Sequence, residues 1–396
     1  MYNSFEISDK SKNERLHLEG YLKKVRNRFI QYIRVMEPLK EMFNENYYTT
    51  LANICGSYHP KFQKKLFIER ALARIDSLEL NDRMRFTADL LHEFVSLSYE
   101  DKLIFFAKVI DKMKPGYTTI IFPEYVAKYG IGNFESSLNA LKLFTRYGTS
   151  EFAIRHFLLN DFEKTLNYME LFSQDANHHV RRLASEGTRP RLPWSFALPI
   201  MIREPWHSRN ILNTLRQDEE LYVRKSVANH LNDISKDNPE YLLHFLKEWD
   251  DANIFSNWII LRGLRSLVKQ GNKEALTLLH VSGDVSIRID TFTCQPNVVN
   301  LNEYIELTVE LTSCDNANHT IIIDYQIDYP NENGYKSSKV YKWKNIRLAP
   351  RASIAYSKRN LLKDFSTRKQ KKGIHEIHLL VNGNKVATSY FELVRE

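Results

Sequence analysis

The sequence predicts a mainly α-helical protein, in which a HEAT-like α-solenoid is followed by a smaller all-β immunoglobulin-like sandwich. Two observations support this fold class: a phrase that recurs after 43 residues, and a change from helical to strand periodicity near residue 281. The first copy of the phrase runs from Gln174 to Trp194 and the second from Gln217 to Asp237. An offset of this size is the length of a two-helix solenoid repeat, so we expect stacked helix pairs.

Helical periodicity extends from about residue 47 to residue 280, where glycine and proline mark only short turns. In three segments, apolar residues recur three to four positions apart and form one stripe along a helix. A helix pair buries only one side by itself, so stacked neighbours must complete the core. The three stripes are Val180, Leu183, Ala184 and Gly187; Val223, Val227, Leu231 and Ile234; and Ile260, Leu264, Leu267 and Val268.

Strand periodicity replaces helical periodicity after residue 281. Ile305, Leu307 and Val309 alternate with polar residues, and turn signals occur at 331–334 and 382–384. About seven short strands between residue 285 and the C-terminus are typical of an immunoglobulin-like sandwich. Further strands are predicted at 320–329, 338–343, 353–356, 374–381 and 386–394.

These patterns divide the chain into an N-terminal arm (1–45), a helical domain (46–282) and the sandwich (283–396). In the arm, residues 21–30 show helical spacing and predict an amphipathic helix with a basic face. That face is either solvated or in contact with phosphates. The basic segment 368–372 of the sandwich has the same two interpretations.

The composition is that of an ordinary soluble globular protein, with 43% hydrophobic residues and no run of 18 apolar residues. The polar N-terminus resembles neither a signal nor a transit peptide. Because Cys55, Cys294 and Cys314 show no paired spacing, we expect a reducing cytoplasm rather than a disulfide framework or zinc site. The net charge of +8 favours nucleic acid as partner, with a generally basic surface as the alternative. We therefore expect a cytoplasmic protein.

Cations and a few acids share one face of the repeat helices. Arg182, Glu186 and Arg189 fall at i, i+4 and i+7, opposite the apolar stripe. Stacked repeats would align such faces along one concave surface, where Lys and Arg neutralise DNA phosphates. The corresponding residues of the next two helices are Lys225, Asn229, Asn232 and Asp233, and Arg262, Arg265 and Lys269.

Each acid also has a purely structural interpretation. Arg182 and Glu186 could form a simple i, i+4 ion pair. Glu151 could occupy a favourable first helical turn, paired with Arg155. Asp233 could cap a turn.

Trp194 ends a stiff, extended connector in which Pro190 and Pro193 flank two residues. Such a connector would hold the indole in a fixed place. An aromatic face beside carboxylates attracts a cation, whereas core packing of the indole is the competing interpretation.

Four phrases resemble the AlkC branch of the DNA alkylation-repair glycosylases, which are related to AlkD: residues 149–155, 180–194, 223–237 and 261–271. The similarity runs from about residue 47 to residue 279, and the sandwich resembles the extra domain of some AlkC members. The resemblance implies a DNA glycosylase of base excision repair in the bacterial cytoplasm, associated with the nucleoid. We expect it to be monofunctional, because no motif places a lysine nucleophile among the acids. It implies removal of N3-alkylated bases such as 3-methyladenine, with 3-methylcytosine as a further candidate.

The resemblance also implies site residues. Its active-site acids match Glu151, Glu186 and Asp233, and its active-site tryptophan matches Trp194. The residues that match the DNA-binding surface are Arg155, Arg181, Arg182, Arg189, Arg191, Arg224, Lys225, Asn229, Lys236, Arg262, Arg265 and Lys269.

The chemistry of the residue types agrees with this implication. An N3-alkylated purine is cationic, and cleavage of its glycosidic bond passes through an oxocarbenium-like sugar. Carboxylates can stabilise that cation and orient water, and an indole can stack on it. We expect a monomer on double-stranded alkylated DNA, with no metal, organic cofactor, lyase activity or membrane partner. The alternative is a non-catalytic HEAT-like DNA-binding protein or protein scaffold.

Overall fold

The computed structural model describes residues 38–249, 253–283, 285–330, 337–365 and 369–395. The chain divides into two compact units, Met1–Ala153 and Ile154–Glu396, which are described in turn. The helix predicted at 21–30 and the turn predicted at 331–334 lie outside the described residues, as does the first residue of the basic segment 368–372. Among the described residues, no helix is long and apolar enough to cross a membrane.

The first unit is a run of helices whose apolar faces pack on one another. Asn44 begins the first of them, because its side chain accepts a hydrogen bond from the Tyr47 N–H at 3.0 Å and caps the helix. Buried aromatic side chains, among them Tyr48, Phe67 and Phe106, fill the core. The helices are α1 (Glu45–Tyr58), α2 (Lys64–Ile75), α3 (Leu80–Phe94), α4 (Tyr99–Asp111), α5 (Ile121–Tyr129) and α6 (Phe134–Phe144).

The second unit opens with helices and ends with the sandwich. The helix α7 (Glu151–Asn160) starts three residues before this unit, whose boundary follows Ala153. The following helices are α8 (Phe162–Phe172), α9 (His178–Gly187), α10 (Pro199–Arg203), α11 (Arg209–Leu215), α12 (Leu221–Asp237), α13 (Pro239–Leu246), α14 (Ile254–Gly263), α15 (Arg265–Lys269) and α16 (Lys273–Leu278).

The three predicted stripes lie on α9, α12 and α14–α15, and every residue in them is buried. Helix α9 packs against α12, and α12 packs against α14, as stacked repeats require. Gly263 permits the second contact, because a Cβ there would lie 2.9 Å from the Leu231 Cβ. One expectation differs: the third stripe spans two helices, because Leu264 (φ −82°, ψ 2°) separates α14 from α15.

The repeat in sequence is also a repeat in geometry. Arg181 Nη1 donates to the carbonyl oxygens of Asp175 (3.0 Å) and Ala176 (2.9 Å). Arg224 Nη1 donates to those of Asp218 (2.8 Å) and Glu219 (2.6 Å). The donors of the two copies are 43 residues apart, and so are the acceptors. Each arginine therefore stabilises the loop that precedes its own helix.

The C-terminal part is an antiparallel two-layer sandwich apart from one short parallel pair. One sheet has the order β1-β3-β6 and the other β2-β8-β7-β4-β5, with β2 and β8 parallel. The predicted strands are present, and the short β2 is additional. The bounds are β1 (Ile287–Gln295), β2 (Val298–Asn300), β3 (Tyr304–Ser313), β4 (His319–Tyr329), β5 (Ser337–Leu348), β6 (Ser353–Leu361), β7 (Gly373–Val381) and β8 (Asn384–Val394).

The β7–β8 hairpin connects the sandwich to the last helices. Asn382 (φ 51°) and Gly383 (φ 81°) form its two-residue turn, in which positive φ suits the twist of the strands. Gly383 lies against Gly271, since a Cβ at Gly383 would be 2.2 Å from the Gly271 Cα. The Asn382 side chain donates to the Ser282 carbonyl oxygen at 2.8 Å and accepts from the Ile322 N–H at 2.8 Å. The segment between helices and sandwich is therefore tied to the sheet.

Candidate active site

Glu186 occupies the last turn of α9, where the final carbonyl groups of a helix lack partners within the helix. Neighbouring side chains supply the donors. Arg155 Nη1 donates to the Gly187 carbonyl oxygen at 3.1 Å, and His230 Nδ1 lies 3.0 Å from that of Ser185. These contacts from α7 and α12 fix the turn that carries the carboxylate.

One guanidinium joins the two predicted acids of this unit. Arg189 Nη1 donates to Glu186 Oε1 at 2.6 Å, and its Nε donates to Asp233 Oδ2 at 2.8 Å. Lys236 Nζ donates to Asp233 Oδ1 at 3.0 Å, and Arg182 Nη2 lies 3.5 Å from Glu186 Oε1. The carboxylates of adjacent repeats are therefore held in one charged network.

This network is almost fully inside the protein. Glu186 is 6% exposed, Asp233 2% and Arg189 6%. Burial by itself lowers the pKa of Arg189, but the two carboxylates outweigh it, so the pKa is raised and the guanidinium stays charged. Buried charges of this kind depend on one another, because removal of one partner leaves the other without compensation.

His230 is a member of the site that the sequence prediction missed. Burial lowers its pKa to about 4; the nearby Asp233 carboxylate opposes this shift, and Arg189 adds a smaller lowering effect. The neutral ring must carry its hydrogen on Nδ1 to bond the Ser185 carbonyl oxygen, so Nε2 presents a lone pair. That Nε2 has no hydrogen-bond partner among the described residues. The available signal was spacing, since His230 is three residues after Val227, on the apolar stripe.

Trp194 projects from the surface. It is 73% exposed and its backbone is left-handed (φ 66°), a conformation that a bulky residue seldom adopts. Its connector is anchored on both sides: Arg155 donates to the carbonyl oxygens of Arg189 (2.7 Å) and Phe196 (2.6 Å). The exposure rules out the core-packing interpretation. The connector is not extended as expected but turned, because the Ser195 N–H donates to the Leu192 carbonyl oxygen at 3.3 Å.

Comparisons with known proteins agree on one family. Residues 288–395 match a family model described as the C-terminal Ig-like domain of the uncharacterised protein YhaZ. The uncharacterized protein YhaZ of Bacillus subtilis (strain 168) is 38% identical over 349 residues, which cover 88% of this chain and 97% of the relative. A solved structure of the Pseudomonas fluorescens alkylpurine DNA glycosylase AlkC, bound to DNA containing an abasic site analog, is 41% identical. It covers 90% of this chain and 99% of its own, with a TM-score of 0.88.

The chain belongs to the AlkC family. The resemblance stated from the sequence is confirmed, and so is the fold class of helical repeats followed by an Ig-like sandwich.

Three predicted DNA contacts of this AlkC-family chain have structural partners, and the first is the buried Arg189, which bonds Glu186 and Asp233. Arg155 is fully buried, and its donors are directed to three carbonyl groups. Arg181 forms two hydrogen bonds with the Asp218 carboxylate, at 2.6 and 3.1 Å, besides fastening its loop. A phosphate contact requires an accessible guanidinium. Arg155 and Arg189 are buried and Arg181 is half-buried, so the DNA contacts of these three residues stay predictions.

Other predicted DNA contacts lie at the surface. Lys225, Lys236, Arg262 and Lys269 are exposed, and Arg191 forms an outer ion pair with Asp237 at 2.8 Å. The remaining ones are half-buried and locally engaged: Arg182 over the Tyr222 ring, Arg224 over Phe255, and Arg265 with the Asn229 amide oxygen. Burial lowers the pKa of Arg265.

Glu151 lies in the first unit, at the first position of α7, where a helix favours negative charge. It is 8% exposed, and the Thr149 hydroxyl donates to its carboxylate. Its place in an active site with Glu186 and Asp233 stays a prediction.

Proposed function

We propose that this chain is a monofunctional DNA glycosylase that hydrolyses the N-glycosidic bond of cationic N3-alkylated bases in double-stranded DNA. We propose 3-methyladenine as its first substrate and 3-methylcytosine as its second, in base excision repair by a monomer. The observation that carries the proposal is the pair of buried carboxylates, Glu186 and Asp233, joined by Arg189. Such acids are suited to a reaction that develops positive charge.

The reaction needs little help to break the bond. Alkylation at N3 makes the base cationic, so it leaves as a neutral molecule when the electron pair of the C1′–N bond moves to it. The sugar becomes an oxocarbenium-like cation. Carboxylates that Arg189 has oriented in advance stabilise this cation without reorganising at the moment of reaction.

Water completes the hydrolysis. Its oxygen forms the new bond to C1′, and one of the carboxylates accepts the released proton. We propose Glu186 and Asp233 for these roles, with Glu151 as a third acid on the strength of the family resemblance. Lys236 forms an ion pair with Asp233, so we assign it to charge compensation and not to nucleophilic attack.

Trp194 and the exposed cations bind the substrate. The exposed indole can stack on the cationic base or sugar, an attraction worth roughly 0.5–2 kcal/mol. Lys225, Lys236, Arg262 and Lys269 provide phosphate contacts that depend on salt concentration.

The test is release of bases from methylated duplex DNA by the purified protein, with 3-methyladenine, 7-methylguanine and 3-methylcytosine resolved by chromatography. We expect 3-methyladenine to be released first, and strand breaks to appear only after alkali. Glu186→Gln and Asp233→Asn should release it much more slowly. Full activity in both variants would contradict the assigned roles. Salt-sensitive DNA binding without release would indicate a non-catalytic DNA-binding protein, and no DNA affinity at moderate salt would indicate a protein scaffold.

A further inference from the structure

Three potential metal ligands meet on the outer face of the five-stranded sheet. Asp328 on β4 is paired directly with Glu376 on β7, and His378 follows two residues later on the same face. The alternate residues Ile377 and Leu379 belong to the sandwich core, which places the three ligands on the opposite side. One donor atom from each lies within 4.8 Å of the other two, and this is the one such cluster found among the described residues.

The distances between the three side chains suit coordination of one shared metal ion. His378 Nε2 lies 3.0 Å from Asp328 Oδ2 and 3.8 Å from Glu376 Oε2. A tetrahedral zinc ion with N and O ligands at about 2.0–2.1 Å separates neighbouring donor atoms by roughly 3.4 Å. The two observed distances lie on either side of that value, so small side-chain rotations would bring all donors to one ion.

A second layer of hydrogen bonds already orients the ligands. His378 Nδ1 lies 2.9 Å from the Thr388 hydroxyl, which can accept a hydrogen bond and so leave Nε2 with its lone pair. Gln326 Nε2 donates to Asp328 Oδ1 at 2.6 Å, opposite the oxygen that faces His378. Such outer partners are the usual support of metal-binding histidines and carboxylates.

We propose that Asp328, Glu376 and His378 bind a divalent transition-metal ion, with zinc as the preferred ion. Two carboxylates and a neutral imidazole carry a charge of about −2, which one such ion neutralises. Asp328 and His378 are each only 8% exposed, so the ion would compensate buried charge. The imidazole nitrogen favours zinc over magnesium or calcium, which prefer oxygen ligands. The ion ties the adjacent strands β4 and β7 together, and its role is structural.

The sandwich contains a matched control. His319 and Asp315 form another histidine–carboxylate pair at 2.9 Å, and no third ligand completes a cluster there among the described residues. Substitution of His319 therefore removes a similar ion pair without removing a proposed metal ligand.

The experiment uses the full-length protein freed of metal by a chelator and titrated with zinc by calorimetry and by competition with a chromophoric chelator. We expect wild type and His319→Ala to bind one more zinc equivalent than His378→Ala and Asp328→Asn, or to bind it at least tenfold more tightly. Zinc should raise the Tm of the first two proteins only, because a ligand stabilises the folded state that binds it. Magnesium should do neither.

Equal zinc binding by wild type, His378→Ala and Asp328→Asn would overturn the proposal and leave a plain ion pair. X-ray absorption of the zinc-loaded wild type provides a test that is independent of variant folding. One imidazole with oxygen ligands supports the site, whereas a sulfur ligand places the zinc elsewhere and overturns it.

Discussion

Arg189 and Asp233, 44 residues apart in the chain, form a buried hydrogen bond of 2.8 Å that joins the two copies of the repeat. The same guanidinium also binds Glu186, so a single side chain orients a carboxylate from each copy. The stability of this part of the protein and its proposed chemistry therefore depend on one residue.

Replacement of Arg189 by Met should destabilise the protein by about 3–5 kcal/mol, because it leaves two buried carboxylates without their shared cation. Urea unfolding measures the change. Arg191→Met removes an outer ion pair with Asp237 and should leave the free energy of unfolding nearly unchanged. Equal losses in the two variants would contradict the role assigned to Arg189.

Two substitutions of Trp194 separate the role of its indole in base release from the strain of its left-handed backbone. Both Trp194→Ala and Trp194→Gly remove the indole and should slow base release by roughly 2- to 30-fold, in line with the strength of a cation–π contact. Only glycine adopts the left-handed backbone without strain, so Trp194→Gly should be about 1 kcal/mol more stable than Trp194→Ala.

The measurements are single-turnover base release and thermal unfolding. Trp206→Ala is the control, since that tryptophan is also exposed and lies outside the proposed site. A Trp206 variant as slow as the Trp194 variants would argue against a specific contact with substrate.

His230 should make the protein sensitive to acid. Its folded-state pKa is lowered from 6.5 to about 4, so the unfolded chain binds the proton first as the pH falls. The contribution of neutral His230 to the free energy of unfolding is fully present above pH 6.5. Roughly 3 kcal/mol of it is lost as the pH falls from 6.5 to about 4. Chemical denaturation at a series of pH values measures this slope.

His230→Gln should flatten the dependence of stability on pH in that window. His244→Gln, a change at an exposed histidine, should leave the wild-type slope in place. A wild-type slope that survives in His230→Gln would assign the acid sensitivity to other groups.

Arg155 and Lys225 should differ in DNA binding. Lys225 is exposed, and if it contacts a phosphate, Lys225→Ala should reduce the slope of log affinity against log salt by about 0.9. Arg155→Met should lower stability and the rate of base release, since it frees three carbonyl groups, but leave the salt slope of any residual binding unchanged. A reduced salt slope for Arg155→Met would restore the phosphate contact predicted from the sequence.

The sequence was informative where local spacing determines structure. The stripe from Val223 to Ile234 and the alternation from Ile305 to Val309 predict buried faces directly, because helix and strand periods are fixed by backbone geometry. The Asn382-Gly383 turn was equally readable, since few residue pairs accept two positive φ angles.

Tertiary contacts were not readable in this way. Arg155 is a residue type that often binds phosphate, and only the fold shows that its guanidinium donates to three carbonyl groups instead. Asp328 and His378 meet because of the register between β4 and β7, which a single sequence does not reveal. Chemistry that depends on such pairings requires the structure.

The contact between Gly271 and Gly383 bears on how the sandwich can be studied by genetics. A truncation that removes the sandwich also exposes the turn after α15 and removes the hydrogen bond from Asn382 to Ser282. We therefore expect it to destabilise the last helices as well. Loss of activity in such a truncation would therefore be ambiguous. Point substitutions in the sandwich strands that do not contact Gly271 leave this packing intact, so they assign the function of the sandwich more directly.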